Sequence, residues 1–244
     1  MKGPKMQNPT AAMLVIGDEI LSGRTRDSNM HFLAGELTKH GVRMMEARVV
    51  GDDQSAIIAA VNELRTRWDH VFTSGGIGPT HDDITADAMA AAFGVTIDHR
   101  ADAMALLQAH YDRAGLPFNE ARQRMARIPA GARLIDNPVS TAPGFSLENV
   151  YVMAGVPKIF EAMVASVMPT ITGGAPLLSQ SLRVERGEGD IADAFGKLAT
   201  RFPDLSMGSY PFIQNGAHGT NLVIRGTDAG QIDLAMGELA RLFK

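Results

Sequence analysis

Along this chain, continuous apolar runs that end near glycine alternate with segments whose apolar residues recur every three or four positions. AAMLVIG (Ala11 to Gly17) is the first run, and the absence of polar interruption predicts a strand buried on both faces. DSNMHFLAGELTKHG then places Phe32, Leu33 and Leu37 on one side, with Asp27 or Ser28 to cap a helix and Gly41 to end it. VRMMEARVVG is strand-like. DDQSAIIAAVNELRTRW is helical through Ile57, Ile58, Val61 and Leu64. HVFTSGG predicts a third strand, and DDITADAMAAAFG a helix that stops at Gly94. ADAMALLQAHYDRAG and NEARQRMARI read as helices, NVYVMAG as another buried strand, and PKIFEAMVASVM as a helix with Pro157 in its first turn. Strand–helix alternation at this spacing predicts βαβ units and a mostly parallel sheet with helices on both faces.

The texture changes near Thr172, where TGGAP reads as a linker. Beyond it the pattern predicts a strand over Ser181–Arg186 and a helix over Asp190–Arg201. Strands follow over Asp204–Tyr210 and Thr220–Arg225, then a helix over Ala229–Phe243, with a hairpin at QNGAHGT. The expected organisation is an α/β domain over 11–172 and a small α+β unit over 178–244.

Composition narrows the function classes. Hydrophobic residues make up 45% of 244, enough for a sizeable core. A net charge of −4 argues against a general nucleic-acid binder. There is no cysteine, which removes disulfides, thiolate metal sites and cysteine nucleophiles. No apolar run reaches membrane-span length. Met1 to Thr10 is polar, lacks the centre of a signal peptide, and is expected to be a flexible lead on a cytoplasmic protein.

Three loops at predicted strand ends carry paired acids: Asp18 and Glu19 in GDEILSG, Asp52 and Asp53 in VVGDD, and Asp82 and Asp83 in TSGGIGPTHDDIT. In an open parallel sheet these ends share one edge, where ligands bind. Gly75, Gly76 and Gly78 offer close backbone approach and free N–H groups to an anion. The loop is neither a Walker loop nor a dinucleotide fingerprint, since no GK[ST] follows and His81 occupies the third glycine position. Helix capping accounts for single aspartates. A divalent cation that bridges carboxylates and phosphate oxygens accounts for glycines and acid pairs together. A hydroxyl-rich or pterin-like ligand is the other solution.

GDEILSGRTRDSN, VVGDD, TSGGIGPTHDDIT, NPVSTAPGF and AGVP, in this order, resemble the molybdopterin-binding-like domain of the competence/damage-inducible protein A (CinA) family, which also forms the N-terminal part of FAD synthases. The resemblance covers about Met13 to Pro169, and the C-terminal unit is similar to a KH-like module that follows in that family. It implies a three-layer α/β/α sandwich. Against the GGTGxxxRD motif of molybdopterin-binding relatives, Gly75, Gly76, Gly78 and Asp83 match, Ile77 replaces threonine and Asp82 replaces arginine. That substitution favours the CinA branch, where the domain resembles a metal-dependent pyrophosphatase for ADP-ribose-type compounds; a similar domain hydrolyses FAD. Two further departures are Ala154 for proline in AGVP and Ser140 for glycine in NPVS. No segment like the deamidase domain of many members is present, so NMN deamidation is not expected.

The resemblance and the loops together give these expectations. Asp18, Glu19 and Asp83 hold Mg²⁺, Mn²⁺ or Co²⁺, with Asp52, Asp82 and Asp83 as the catalytic acids. Gly17, Ser74, Gly75, Gly76, Gly78, Pro79, Thr80 and Thr85 contact a nucleotide-type ligand; molybdopterin is the alternative. Asp27 and Asn29 reach a ribose or base, or cap the helix. Asn137, Pro143 and Gly144 shape a wall, and Gly155 and Pro157 offer a second anion site. His81 is read as a solvated loop residue rather than a general base. A homo-oligomer is expected. No GXXG loop stands in the C-terminal unit where RNA binding would need it.

Overall fold

A computed structural model describes residues 8–214 and 216–243; most of the polar lead, through residue 7, and Asn215 of the hairpin lie outside the described residues. The chain divides into two units, the first ending at Gly174 and the second beginning at Ala175.

In the first unit the buried run forms β1 (Thr10–Ile16). A short α1 (Asp18–Leu21) and α2 (Asn29–Lys39) follow, then β2 (Arg43–Val50), α3 (Gln54–Arg67), β3 (His70–Ser74) and α4 (Thr85–Phe93). β4 (Ile97–His99), α5 (Ala101–Ala114), α6 (Glu120–Gln123), β5 (Arg127–Pro129), β6 (Arg133–Ile135), β7 (Gly144–Leu147), β8 (Val150–Met153) and α7 (Pro157–Val167) complete it. The six-stranded sheet has the order β2-β1-β3-β8-β7-β6. The first four strands are parallel, and β7 and β6 continue antiparallel. Alternate residues of β1 serve two cores. Ala12, Leu14 and Ile16 pack with Ile57, Val61, Leu64, Met89 and Leu107 on one face. Met13 and Val15 pack with Leu33, Leu37, Phe160 and Met163 on the other. This is the expected three-layer sandwich, and burial of both faces is why β1 carries no polar residue after Thr10.

Several expectations change at the edges. Thr10 is no part of a free lead: its N–H and hydroxyl donate to Asp69 Oδ2 at 2.8 and 2.6 Å, fixing the start of β1. The helix expected over NEARQRMARI stops early. One turn of α6 passes into a 3₁₀ turn at Arg124–Ala126, and Arg127 enters β5 because Ile128 pairs with Asp98 across the two-stranded β4–β5 sheet. Asp82 and Asp83 precede α4 rather than starting it, since α4 begins after Ile84 with no side-chain cap.

The second unit comprises β9 (Leu178–Val184), α8 (Glu188–Arg201), β10 (Ser206–Gln214), β11 (Ala217–Gly226) and α9 (Ala229–Phe243). Its antiparallel sheet, ordered β10-β11-β9, packs Val184, Leu222 and Ile224 against Ile191, Phe195, Leu198, Ile232 and Leu239 of the two helices. The guanidinium of Arg183 lies 3.9 Å from the centroid of Phe212.

Candidate functional site

The parallel strands deliver their carboxyl ends to one edge, and a cavity of about 580 Å³ opens there. The loop after β1 gives it Gly17 and Glu19, the loop after β2 gives Asp52, and the loop after β3 gives Gly75, Gly76, Gly78, Pro79, Asp82 and Asp83. The β6–β7 connection adds Asn137, Ser140 and Ala142, and the entry to α7 adds Gly155, Val156 and Pro157. Ile16, Ile77, Met125 and Ile159 make part of its wall apolar. The cavity thus has a carboxylate-bearing side, a glycine backbone and an apolar surface.

Close packing dictates the glycines. A Cβ on Gly75, whose φ is +112°, would lie 2.1 Å from Ile16 O. One on Gly76 (φ +68°) would meet Thr85 Oγ1, whose hydroxyl donates to Gly75 O at 3.0 Å. Both positions need glycine on steric and conformational grounds. Asp83 is fixed by the same loop, with Oδ2 accepting from Thr80 N at 2.7 Å and from Thr80 Oγ1 at 2.5 Å. The Thr80 hydroxyl has one proton, and the short separation assigns it to Asp83.

The other loops are tied in similar ways. Asp18 and Asp52 exchange bonds: Asp18 N donates to Asp52 Oδ2 at 3.0 Å, and Asp52 N donates to Asp18 Oδ1 at 3.3 Å. Asn29 is buried and joins two strand ends, its Nδ2 donating to Ser74 Oγ at 2.7 Å and Gly155 O at 2.8 Å. Its Oδ1 is buried with no partner among the described residues. Asn137 organises the β6–β7 connection: Oδ1 accepts from Val139 N and Ser140 N, both at 3.1 Å, and Nδ2 donates to Ser140 Oγ and Ala142 O. Thr141, with φ 66°, is held in the left-handed region there.

Residues 12–173 match the family described as "Probable molybdopterin binding domain", about two thirds of the chain. The chain belongs to that family. Residues 176–244 match "FAD synthase, middle domain". Among curated relatives, a "Probable FAD synthase" of Caenorhabditis elegans is 34% identical over 98% of this chain and 51% of its own length. A "CinA-like protein" of Citrifermentans bemidjiense is 40% identical over 66% of this chain and 40% of its own. This chain therefore spans about half or less of those two proteins. The crystal structure of CinA from Thermoplasma acidophilum, described as of unknown function, superposes with a TM-score of 0.62 at 34% identity, covering 67% of this chain and 98% of that one. Within the family the chain is thus CinA-like.

In this CinA-like chain, four of the six paired acids line the cavity: Glu19, Asp52, Asp82 and Asp83. The other two do not. Asp53 caps α3 by accepting from Ala56 N at 2.8 Å, a bond that, with the Ser55 hydroxyl, holds its carboxyl low. Asp18 faces the β2 loop, where its Oδ1 would lie 2.4 Å from a Cβ on Gly51. The trio Asp18, Glu19 and Asp83 does not converge. Among the described residues, no three Asp, Glu, His or Cys side chains approach closely enough to hold a metal alone. Asp52 Oδ1 and Asp83 Oδ1 carry no hydrogen bond among the described residues. A hard cation such as Mg²⁺ keeps several waters and needs only one or two protein carboxylates beside ligand phosphates.

Asp27, Asn29 and Ser74 line a separate recess of about 50 Å³ beside Glu19 and Gly155. Asp27 also caps α2, accepting from Asn29 N at 3.3 Å and Met30 N at 3.1 Å. Thr80 and Thr85 act on the loop itself, and Pro143 and Gly144 lie behind the cavity wall. His81 is solvent-exposed, 3.9 Å from Asp82. Thr25, Met125, Ser140, Val156 and Ile159 also reach the cavity. None carries a distinctive pattern of its own in sequence.

Proposed function

We propose that this domain hydrolyses the diphosphate linkage of an ADP-ribose-type or FAD-type nucleotide with a divalent cation. The observation that carries the reading is one cavity combining glycine N–H groups, two carboxylates with a free oxygen each, and an apolar wall. The apolar wall of Ile16, Ile77, Met125 and Ile159 takes the planar ring of the ligand and excludes water from it. The N–H groups of Gly76 and Gly78 donate to phosphoryl oxygens as charge builds on them. Asp52 and Asp83 would hold Mg²⁺, Mn²⁺ or Co²⁺ through their free oxygens, and a cation bound there would supply charge neutralisation of the diphosphate and a more acidic water. Water adds to one phosphorus, the bridging P–O bond breaks, and its electron pair leaves with the second phosphate. Asp82, which also lines the cavity, adds a further carboxylate that favours a cation over a bare anion.

A second reading is binding of molybdopterin or a nucleotide without hydrolysis, favoured by the family's own description. One assay separates the two. The protein is incubated with ADP-ribose, FAD or NADH and each cation, and AMP is sought by chromatography, with Asp83→Asn in parallel. Metal-dependent AMP that drops at least about 100-fold in the variant supports hydrolysis. Folded protein that releases no AMP from any of them overturns hydrolysis of these compounds, and equilibrium binding of molybdopterin then tests the alternative.

A further inference from the structure

Among the described residues the main cavity is lined by four carboxylates and by no lysine, arginine or histidine. Of the chain's own groups there, only backbone N–H groups offset that charge for a phosphate. A positive group stands next to the cavity instead. A recess of about 20 Å³ shares Ile77, Gly78, Asp83 and Met125 with the cavity and is also lined by Asp87, Arg124 and Arg127. Its two guanidinium groups differ. Arg127 is neutralised by Asp87 through paired bonds of 2.8 and 2.6 Å. Arg124 forms no ion pair among the described residues, and its Nε is buried without a hydrogen-bond partner.

A buried guanidinium N–H with no acceptor is unusual in a folded chain and calls for one. Local structure holds Arg124 at this spot. It opens the 3₁₀ turn between α6 and β5, and that turn is pinned by the buried Ala126 and Ile128 two and four residues on. The backbone therefore keeps Arg124 in the recess that it lines together with Gly78.

We propose that Arg124 is an anion-contacting residue and that the recess between it and Gly78, about the size of one water, admits a single oxygen of a phosphoryl group seated in the main cavity. A guanidinium N–H of Arg124 donates to that oxygen, a charge-assisted bond. The second phosphoryl group lies towards Asp52 and the cation. The assignment rests on the nucleotide-diphosphate reading above. It adds that recognition of the diphosphate is split between a cation held by carboxylates and a guanidinium from the α6–β5 segment.

The test uses the full chain and two probes that release no AMP, α,β-methylene ADP-ribose and inorganic pyrophosphate, each with Mg²⁺. Dissociation constants are measured by calorimetry for wild type, Arg124→Lys and Arg124→Gln, with melting curves to show that all three fold. Arg124→Gln is expected to weaken both probes about tenfold or more, and Arg124→Lys to recover part of the loss. Unchanged affinity in Arg124→Gln overturns the assignment, as does failure of both probes to bind wild type. Arginine-dependent binding of the probes by a protein that releases no AMP from ADP-ribose would keep the contact and remove the hydrolase reading alone.

Discussion

Gly78 shows how tightly the glycine loop and its aspartate are coupled. Its backbone lies outside the left-handed region, so alanine there introduces no dihedral strain. The added Cβ would stand 2.6 Å from Asp83 Oδ2 and 3.0 Å from Oδ1. Restoring an ordinary separation of about 3.4 Å moves the carboxylate by about 0.8 Å. That movement stretches the 2.7 and 2.5 Å bonds from Thr80. The bonds lie at an exposed rim where water replaces them, so the stability cost stays near 1 kcal/mol. Activity suffers more, because a displacement of about 1 Å in a reacting group costs about 100-fold. Gly78→Ala is therefore expected to lower kcat/KM for metal-dependent AMP release by about 100-fold, a barrier increase of about 2.7 kcal/mol, with Tm within a few degrees of wild type. AMP release assays and differential scanning calorimetry on the same preparation check both numbers. Activity within about threefold of wild type would refute the placement of Asp83 at the reacting centre.

Asn29→Leu removes two hydrogen bonds that join β3 to the loop after β8 and leaves Gly155 O without its donor. It should destabilise the domain by about 2–4 kcal/mol, read as a lower urea midpoint at unchanged slope, and a loss under about 0.5 kcal/mol would show the junction holds without it. His70, at the start of β3, has its pKa lowered chiefly by burial. The unfolded chain therefore binds more protons than the folded one just below the ordinary histidine value of 6.5, so stability should fall as pH drops through that value and level off below the folded value. Urea titrations at pH 7.5 and 5.5 should show the fall, and His70→Asn should flatten it.

Elements that bury a long continuous or strongly periodic face were legible in sequence. β1 has six consecutive buried residues after Thr10, and α3 buries Ile57, Val61 and Leu64 at helical spacing. Of the short strands, Val150–Met153 was legible as a continuous apolar run, whereas Arg127–Pro129 and Gly144–Leu147 were not, because they establish no period and are set by partners about 30 residues away or on the neighbouring strand. The acidic loops were legible as a group through their common position after strands. Which of each pair turns inward was not. In Asp52–Asp53 the second caps a helix, and in Asp18–Glu19 the first bonds the neighbouring loop. Both outcomes depend on backbone N–H groups whose direction exists only after the turn has formed. Ser140 takes part in its loop through a hydroxyl that accepts from Asn137 Nδ2 at 2.6 Å.

The sheet order also governs the sequence of events at the ribosome. β8 pairs with β3 although its residues follow by nearly eighty positions, as Val71 opposite Val150 shows. Until β8 emerges, one edge of β3 stays open, with its amides and carbonyls available to any other extended chain. Gly75 and Gly155 are also still apart, although in the finished domain a Cβ on Gly155 would come within 3.3 Å of Gly75 Cα. A nascent chain therefore has the glycine loop in sequence long before it has the cavity in space. The cavity cannot be complete before the closing strand docks between β3 and β7.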